Sequence, residues 1–198
     1  NWAIFEPSSS LVTVFDIAGE DMVVVGQLKG LGTGETIYSV RFIGDKGFVV
    51  TFRQTDPFYS LDLSDPANPV KAGELKIPGF SSYLHPISVN LILGVGMEAS
   101  DTGVQSGLKI SLFDVSNLAA PVESAKYVEF ENSYSDVLWD HKAFRYLQAQ
   151  KLLIIPVSFF NYDYDTGVYT VYEGFKLYNI DAGAITLKGS ISHVNELS

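Results

Sequence analysis

Apolar and polar residues alternate along this chain in short stretches broken by turn chemistry, and residues 37–79 show the pattern most clearly. "IYSVRFIG" alternates until "GDKG", whose Gly-Asp and Lys-Gly steps suit a tight turn. "FVVTFR" is β-branched and apolar enough to be a buried second strand. "FYSLDL" alternates again after "TDP". "SDPANP" then breaks the chain, because two prolines cannot sit in a continuing central strand. "VKAGELKI" predicts an outer strand whose lysines and glutamate blunt an exposed edge. The unit is therefore four short strands.

That unit recurs. "VFDI" (14–17), "SLDL" (60–63), "LFDV" (112–115) and "LYNI" (177–180) align on a polar third position, Asp16, Asp62, Asp114 and Asn179. The spacings are 46, 52 and 65 residues, and ten or eleven residues after each anchor stands a small residue: Gly26, Gly73, Ala125 and Gly189. A β-rich repeat of this period predicts an all-β propeller built from four-stranded antiparallel blades. The expected blades cover about 36–79, 80–130 and 134–193, preceded by a half-blade over 11–31. About three and a half blades of a single propeller segment (1–198) are expected, as part of a larger ring. The half-blade is otherwise completed by a second chain, a homodimer joined through open blade edges.

In the middle blade "SYLHPISV", "LILGVGM", "LKISLFDV" and "VESAKYVEF" take the four strand places, with the loop "EASDTGVQSG" (98–107) between the second and third. In the last, "VLWDHKAFRYL", "KLLIIPVSFF", "VYEGFKLYNI" and "ITLKGSIS" do so, and "NYDYDTG" (161–167) tops an extended hairpin. Val137, Leu138, Phe144 and Leu147 also carry a helical spacing. The repeat register favours a strand there.

Composition narrows the function classes. The 198 residues hold 23 acidic and 13 basic side chains, a formal charge of −10, which repels a phosphate backbone and argues against nucleic acid. With no cysteine, disulfides, thiolate metal sites and cysteine nucleophiles are excluded. No apolar run approaches the roughly 20 residues of a membrane helix. The chain opens on Asn1 without a basic-then-apolar leader, and an excised domain or processed product is expected.

The stretch "IYSVRFIGDKGFVVTFRQTDPFYSLDLSDPANPVKAGELKIPGFSSYLHP" closely resembles the secreted β-propeller domain proteins of bacteria and archaea, a family without an assigned activity. "YSDVLWDHKAF" followed by "LLIIPV" is similar to the next blade of the same family, and "DLSDPANPV" resembles the LVIVD-type repeat of surface proteins. The resemblance spans about Ile37 to Val157. It implies a propeller in a secreted, cell-surface or periplasmic protein, with this chain a C-terminal portion, and it implies no catalytic residues.

Candidate chemistry lies where the copies differ. "SVRF", "YLHP" and "WDHKAF" occupy equivalent first-strand places, so Arg41, His85 and His141 are expected at the channel mouth, with Tyr83, Trp139 and Asp140 beside them. Such a ring suits an anion or, through Asp140, a metal, and it is the site an enzyme would use. The plainer reading has each histidine hydrogen-bonded to a neighbouring blade. Asp16, Asp62, Asp114 and Asn179 recur, which suits turn-capping better than one active site. Asn161, Asp163 and Asp165 offer oxygen ligands for a weak surface calcium, without the later glutamate of an EF-hand. "GLGTGE" (30–35) lacks the Lys-Ser/Thr ending of a phosphate loop, and no G-x-S-x-G appears. The expected role is a binding or scaffold module for a protein or glycan partner, through loops 98–107 and 158–175, with no cofactor unless calcium.

Overall fold

A computed structural model describes residues 8–52, 56–100, 102–163 and 165–192. Its strands form antiparallel sheets laid down in chain order. Among the described residues β1 (Ser10–Ala18) and β2 (Asp21–Leu31) pair only with each other. β3 (Thr36–Ile43), β4 (Lys46–Phe52), β5 (Asp56–Asp62) and β6 (Val70–Ile77) form a four-stranded meander. A second meander contains β7 (Phe80–Pro86), β8 (Leu91–Ala99), β9 (Gln105–Asp114) and β10 (Val122–Glu131). In the last sheet β13 (Leu152–Asp163), β14 (Val168–Asp181) and β15 (Ala184–Ser192) follow two short strands, β11 (Ser133–Tyr134) and β12 (Arg145–Leu147), that both pair with β13. This is a partial propeller: three blades, and the two outer strands of a fourth.

Every blade carries a bulge at the same place. Val14 faces Gly26, Ser60 faces Gly73, Leu112 faces Ala125 and Leu177 faces Gly189, and each pairing slips by one residue immediately afterwards. At two of these bulges the neighbouring blade requires glycine. A side chain at Gly26 would strike the Pro66 carbonyl, and one at Gly73 would strike the Leu118 carbonyl and the Ala119 backbone. The turn between third and fourth strands of one blade thus seats on the bulge of the blade before it. Ser60 Oγ adds a 2.5 Å hydrogen bond to the Leu118 carbonyl at this seam.

The core consists of seams between blades. Leu31, Val49, Tyr59 and Leu61 fill the first, with Val12 and Leu28 packed against them. Phe48, Phe58, Phe80, Leu84, Ile92 and Phe113 fill the second, where Phe58 stacks on Phe113 at 4.4 Å. Leu93, Val95, Leu108, Ile110 and Leu112 meet Leu153, Ile155, Val157 and Tyr178 in the third. Each such side chain contributes roughly 1.5–3 kcal/mol by leaving water. The third seam also encloses a charge: Lys176 Nζ lies 2.5 Å from Glu129 Oε2, and Tyr178 donates to Glu129 Oε1 at 2.7 Å. Phe130, Phe159 and Tyr172 surround the ammonium with ring centroids 5.1–5.6 Å away. Burial, and then the bond to Glu129, pushes the Tyr178 phenol far above its ordinary range.

Residues 137–147 are not the continuous first strand that the repeat register predicts, nor are they an α-helix. They hold two 3-10 turns, Asp136–Leu138 and His141–Ala143, before β12 begins. Ser135 Oγ accepts the Val137 N–H and Asp140 Oδ1 accepts the Lys142 N–H, so local side chains take the backbone groups a ladder would use. Pro156 explains why the ladder can be interrupted. It falls between the segments of β13 that pair with β12 and β11, where an absent N–H costs no bond.

Candidate functional site

The first strands of the two four-stranded blades and the two 3-10 turns of the last blade meet around a cavity of about 470 Å³. β3 brings Ser39 and Arg41 to it, β7 brings Ser82 and Tyr83, and the turns bring Trp139 and His141. Alternation puts Ser39 and Arg41 on one face of β3, and the register shift between Ser81 and Tyr83 brings adjacent residues of β7 to the same cavity. Ser39 Oγ donates to the Ser81 carbonyl at 2.6 Å and Arg41 Nε donates to the Leu84 carbonyl at 2.9 Å, fastening one blade to the next. The Arg41 guanidinium also lies 5.5 Å from the Tyr83 ring centroid. Ser39 and Ser82 were not singled out by sequence, although each stands within two or three residues of Arg41 or His85 in the same repeat place.

His85 and Asp140 are off the cavity wall. The His85 imidazole is half-buried behind Tyr83, with Nδ1 3.5 Å from the tyrosine hydroxyl and its ring 4.7 Å from that of Phe144. Burial first, and the Arg41 charge second, lower its affinity for a proton. Asp140 spends its Oδ1 on the Lys142 N–H. The two histidines therefore occupy different settings: His141 lines the cavity and is exposed, while His85 supports Tyr83 from behind.

Two of the recurrent acids act on turns. Asp62 Oδ1 accepts the Ser64 N–H and Asp114 Oδ1 accepts the Ser116 N–H, both at 2.9 Å. Asp163 Oδ1 likewise accepts the N–H groups of Asp165 and Thr166 at 2.9 and 3.2 Å, closing the β13–β14 turn. Asn161 and Asp165 are exposed beside it, and among the described residues no group of three or more histidine or acidic side chains is placed to hold a metal.

The second candidate surface is the arm formed by β13 and β14. Its strands stay paired to Asp163 and Val168, whereas β11 reaches only Phe159 and β15 reaches only Gly174. Among the described residues, the stretch from Phe160 to Val171 is thus a two-stranded ribbon with bare edges. Phe160 and Tyr169 are 52% and 62% exposed, and Tyr162 lies 4.5 Å from Tyr169 between ring centroids. On the blade side Phe159 stacks on Tyr172 at 5.5 Å and 8°, next to exposed Phe130. The loop expected over 98–107 is shorter than its composition predicts. β8 and β9 run to Ala99 and Gln105, and Ser100 closes the turn by exchanging bonds with Val104.

The sequence model of one protein family, described as "Beta propeller domain", matches residues 4–198. An uncharacterised protein of Archaeoglobus fulgidus is 45% identical over 161 residues, which is 81% of this chain and 24% of that protein. An uncharacterised protein of Methanocaldococcus jannaschii is 42% identical over 156 residues, 79% of this chain and 24% of that one. The chain spans about a quarter of the length of these relatives. A crystal structure of a Lactobacillus plantarum protein aligns over 95% of this chain and 83% of its own, at 11% identity and a TM-score of 0.31, too low to bear on fold or function.

Proposed function

Because the chain belongs to the β-propeller domain family, we propose that it is a rigid binding module of a larger extracytoplasmic protein and that it engages a partner protein through the β13–β14 arm. The observation that carries this reading is the ribbon from Phe160 to Val171, which among the described residues presents aromatic side chains and unpaired strand edges together. An extended peptide adds to such an edge through main-chain hydrogen bonds, and alternate side chains supply specificity. A blade that is firmly seated behind the arm keeps the ordering cost of binding low. Location outside the cytoplasm rests on the resemblance to secreted propeller proteins and is compatible with the acidic, cysteine-free composition.

The test is site-directed crosslinking from Tyr169 in the full-length protein, followed by reconstitution with the purified protein it captures. Replacing Phe160 and Tyr169 by serine is expected to weaken that reconstituted complex at least about tenfold, or about 1.4 kcal/mol. Unchanged affinity sinks the arm as the contact. Saturable binding of defined oligosaccharides, with no protein captured, would assign the same rings to a glycan instead. Fractionation that finds the protein wholly in the cytoplasm would overturn the placement.

A further inference from the structure

We infer that the cavity between β3, β7 and the two 3-10 turns is a binding site for a small oxyanion, a carboxylate or phosphate group, held by the terminal nitrogens of Arg41. The inference starts from an imbalance. In a chain of formal charge −10, Arg41 is only partly exposed, yet among the described residues it forms no ion pair. A guanidinium has five N–H donors, and the one on Nε is committed to the Leu84 carbonyl. That bond and the Tyr83 ring fix the plane of the group. The four N–H donors on the terminal nitrogens are left without a hydrogen-bond partner among the described residues, on a side chain that lines an open cavity. A fork of paired donors in fixed orientation matches the two oxygens of a carboxylate or phosphate.

The remaining walls suit the same guest. Ser82 and Tyr83 line the cavity from β7, and His141 joins them from the last blade. Among the described residues no acidic side chain lines it. Elsewhere six lysines reach carboxylates, Lys71 and Lys76 at Glu74, Lys126 at Glu98, Lys109 at Glu123, Lys176 at Glu129 and Lys151 at Asp181. The Trp139 indole, 70% exposed at the rim, offers a flat apolar surface to whatever body the anion carries. His85 supports Tyr83 while remaining preferentially uncharged, since both burial and Arg41 oppose its protonation. Three successive blades contribute, so the site is a product of ring assembly and cannot be assigned to any one repeat. It is separate from the arm, and the failure of either leaves the other intact.

Calorimetric titration of the full chain with inorganic phosphate, malonate and benzoate tests this directly. Saturable binding by at least one of them, at about 10 mM or below, is expected. Arg41→Gln should lower that affinity about tenfold or more, and Trp139→Ala should weaken benzoate while sparing phosphate and malonate. Phosphate alone binding would identify a phosphate-bearing guest, and malonate or benzoate a carboxylate. Arg41→Gln also removes the bond to Leu84, so Arg41→Lys and His141→Ala serve where that variant does not fold. Lysine keeps the charge without the fork and should bind more weakly than wild type, and loss of His141 should weaken binding in a fully folded protein. No saturable binding by any of the three anions, or affinity unchanged across these variants, overturns the proposal.

Discussion

The residue before each polar anchor is Phe15 in the β1–β2 pair and Leu61, Phe113 and Tyr178 in the three blades. Leu61, Phe113 and Tyr178 are at most 1% exposed, whereas Phe15 is 46% exposed. All four stand on third strands next to the same bulge. They differ in what lies in front of them. Leu61 packs against the side chains of β1 and β2, Phe113 against the blade of β3–β6, and Tyr178 against the blade of β7–β10. Among the described residues no earlier blade stands before Phe15. The other end mirrors this: the space above Gly26 and Gly73 is filled by the next blade's turn, while among the described residues nothing lies within 4 Å of a side chain at Gly189. Burial in this fold belongs to the seam and not to the blade.

The largest effect that would break or sharpen this contrast comes from truncating the paired phenylalanines. Phe113→Ala removes a ring stacked between Phe58 and the second seam and should cost about 3–5 kcal/mol in urea unfolding. Phe15→Ala should cost less than about 1 kcal/mol in this chain. Equal losses would mean that Phe15 is covered in solution, and a matching fall in mass by light scattering would identify the cover as a second copy.

The charge inside the third seam comes next. Glu129→Leu strands the buried Lys176 ammonium and unbinds the Tyr178 hydroxyl, for an expected loss of about 3 kcal/mol. The double variant Glu129→Leu with Lys176→Met should recover most of it, since the surrounding rings accept an apolar chain. Breaking the exposed Lys151–Asp181 pair, 3.6 Å apart, should change stability by under about 1 kcal/mol. A double variant no better than the single one would show that the pair stabilises the seam beyond neutralising itself.

The bulge glycines give the third comparison. A methyl at Gly73 collides with backbone that cannot easily move, and Gly73→Ala should cost about 1–3 kcal/mol. Gly189→Ala meets open space and should be neutral or stabilise by up to about 1 kcal/mol, as Ala125 already shows that alanine fits the bulge. A comparable loss at Gly189 would reveal that the outer face of the last blade is occupied.

The blades were legible in sequence because each strand declares itself locally, by alternation, by turns such as "SDPANP", and by the anchored phrase. The bulges were visible only as a recurring small residue, since their cause lies on another blade. The first strand of the last blade was not legible. Its apolar spacing fitted strand or helix, and the outcome was decided by Ser135 and Asp140 capping short turns and by Pro156 sparing the ladder. Arg41 and Tyr83 lie on first strands as the repeat predicts, Trp139 and His141 lie on 3-10 turns instead, and the structure places all four on one cavity. Their distances, and the displacement of His85 behind Tyr83, depend on three blades at once and are not encoded in any local pattern.

The smallest expected effect concerns the anchors themselves, where chemistry and not packing separates the copies. The Ser116 N–H and then its hydroxyl hold the Asp114 carboxyl below its ordinary range, as the hydroxyl and N–H of Ser64 do for Asp62. A carboxyl whose proton affinity is lowered by folding stabilises the native state once it is ionised in the unfolded chain, above about pH 4. That contribution falls away as the pH drops through the folded value. Asp114→Asn keeps an acceptor for the turn but loses the charge, so its melting temperature should lie about 1–2 °C below wild type at neutral pH. The two curves should converge in acid. Asp16 makes no turn hydrogen bond among the described residues, and Asp16→Asn should leave the neutral-pH midpoint where it is. A gap that persists below about pH 3 would show that Asp114 acts through shape and not through charge.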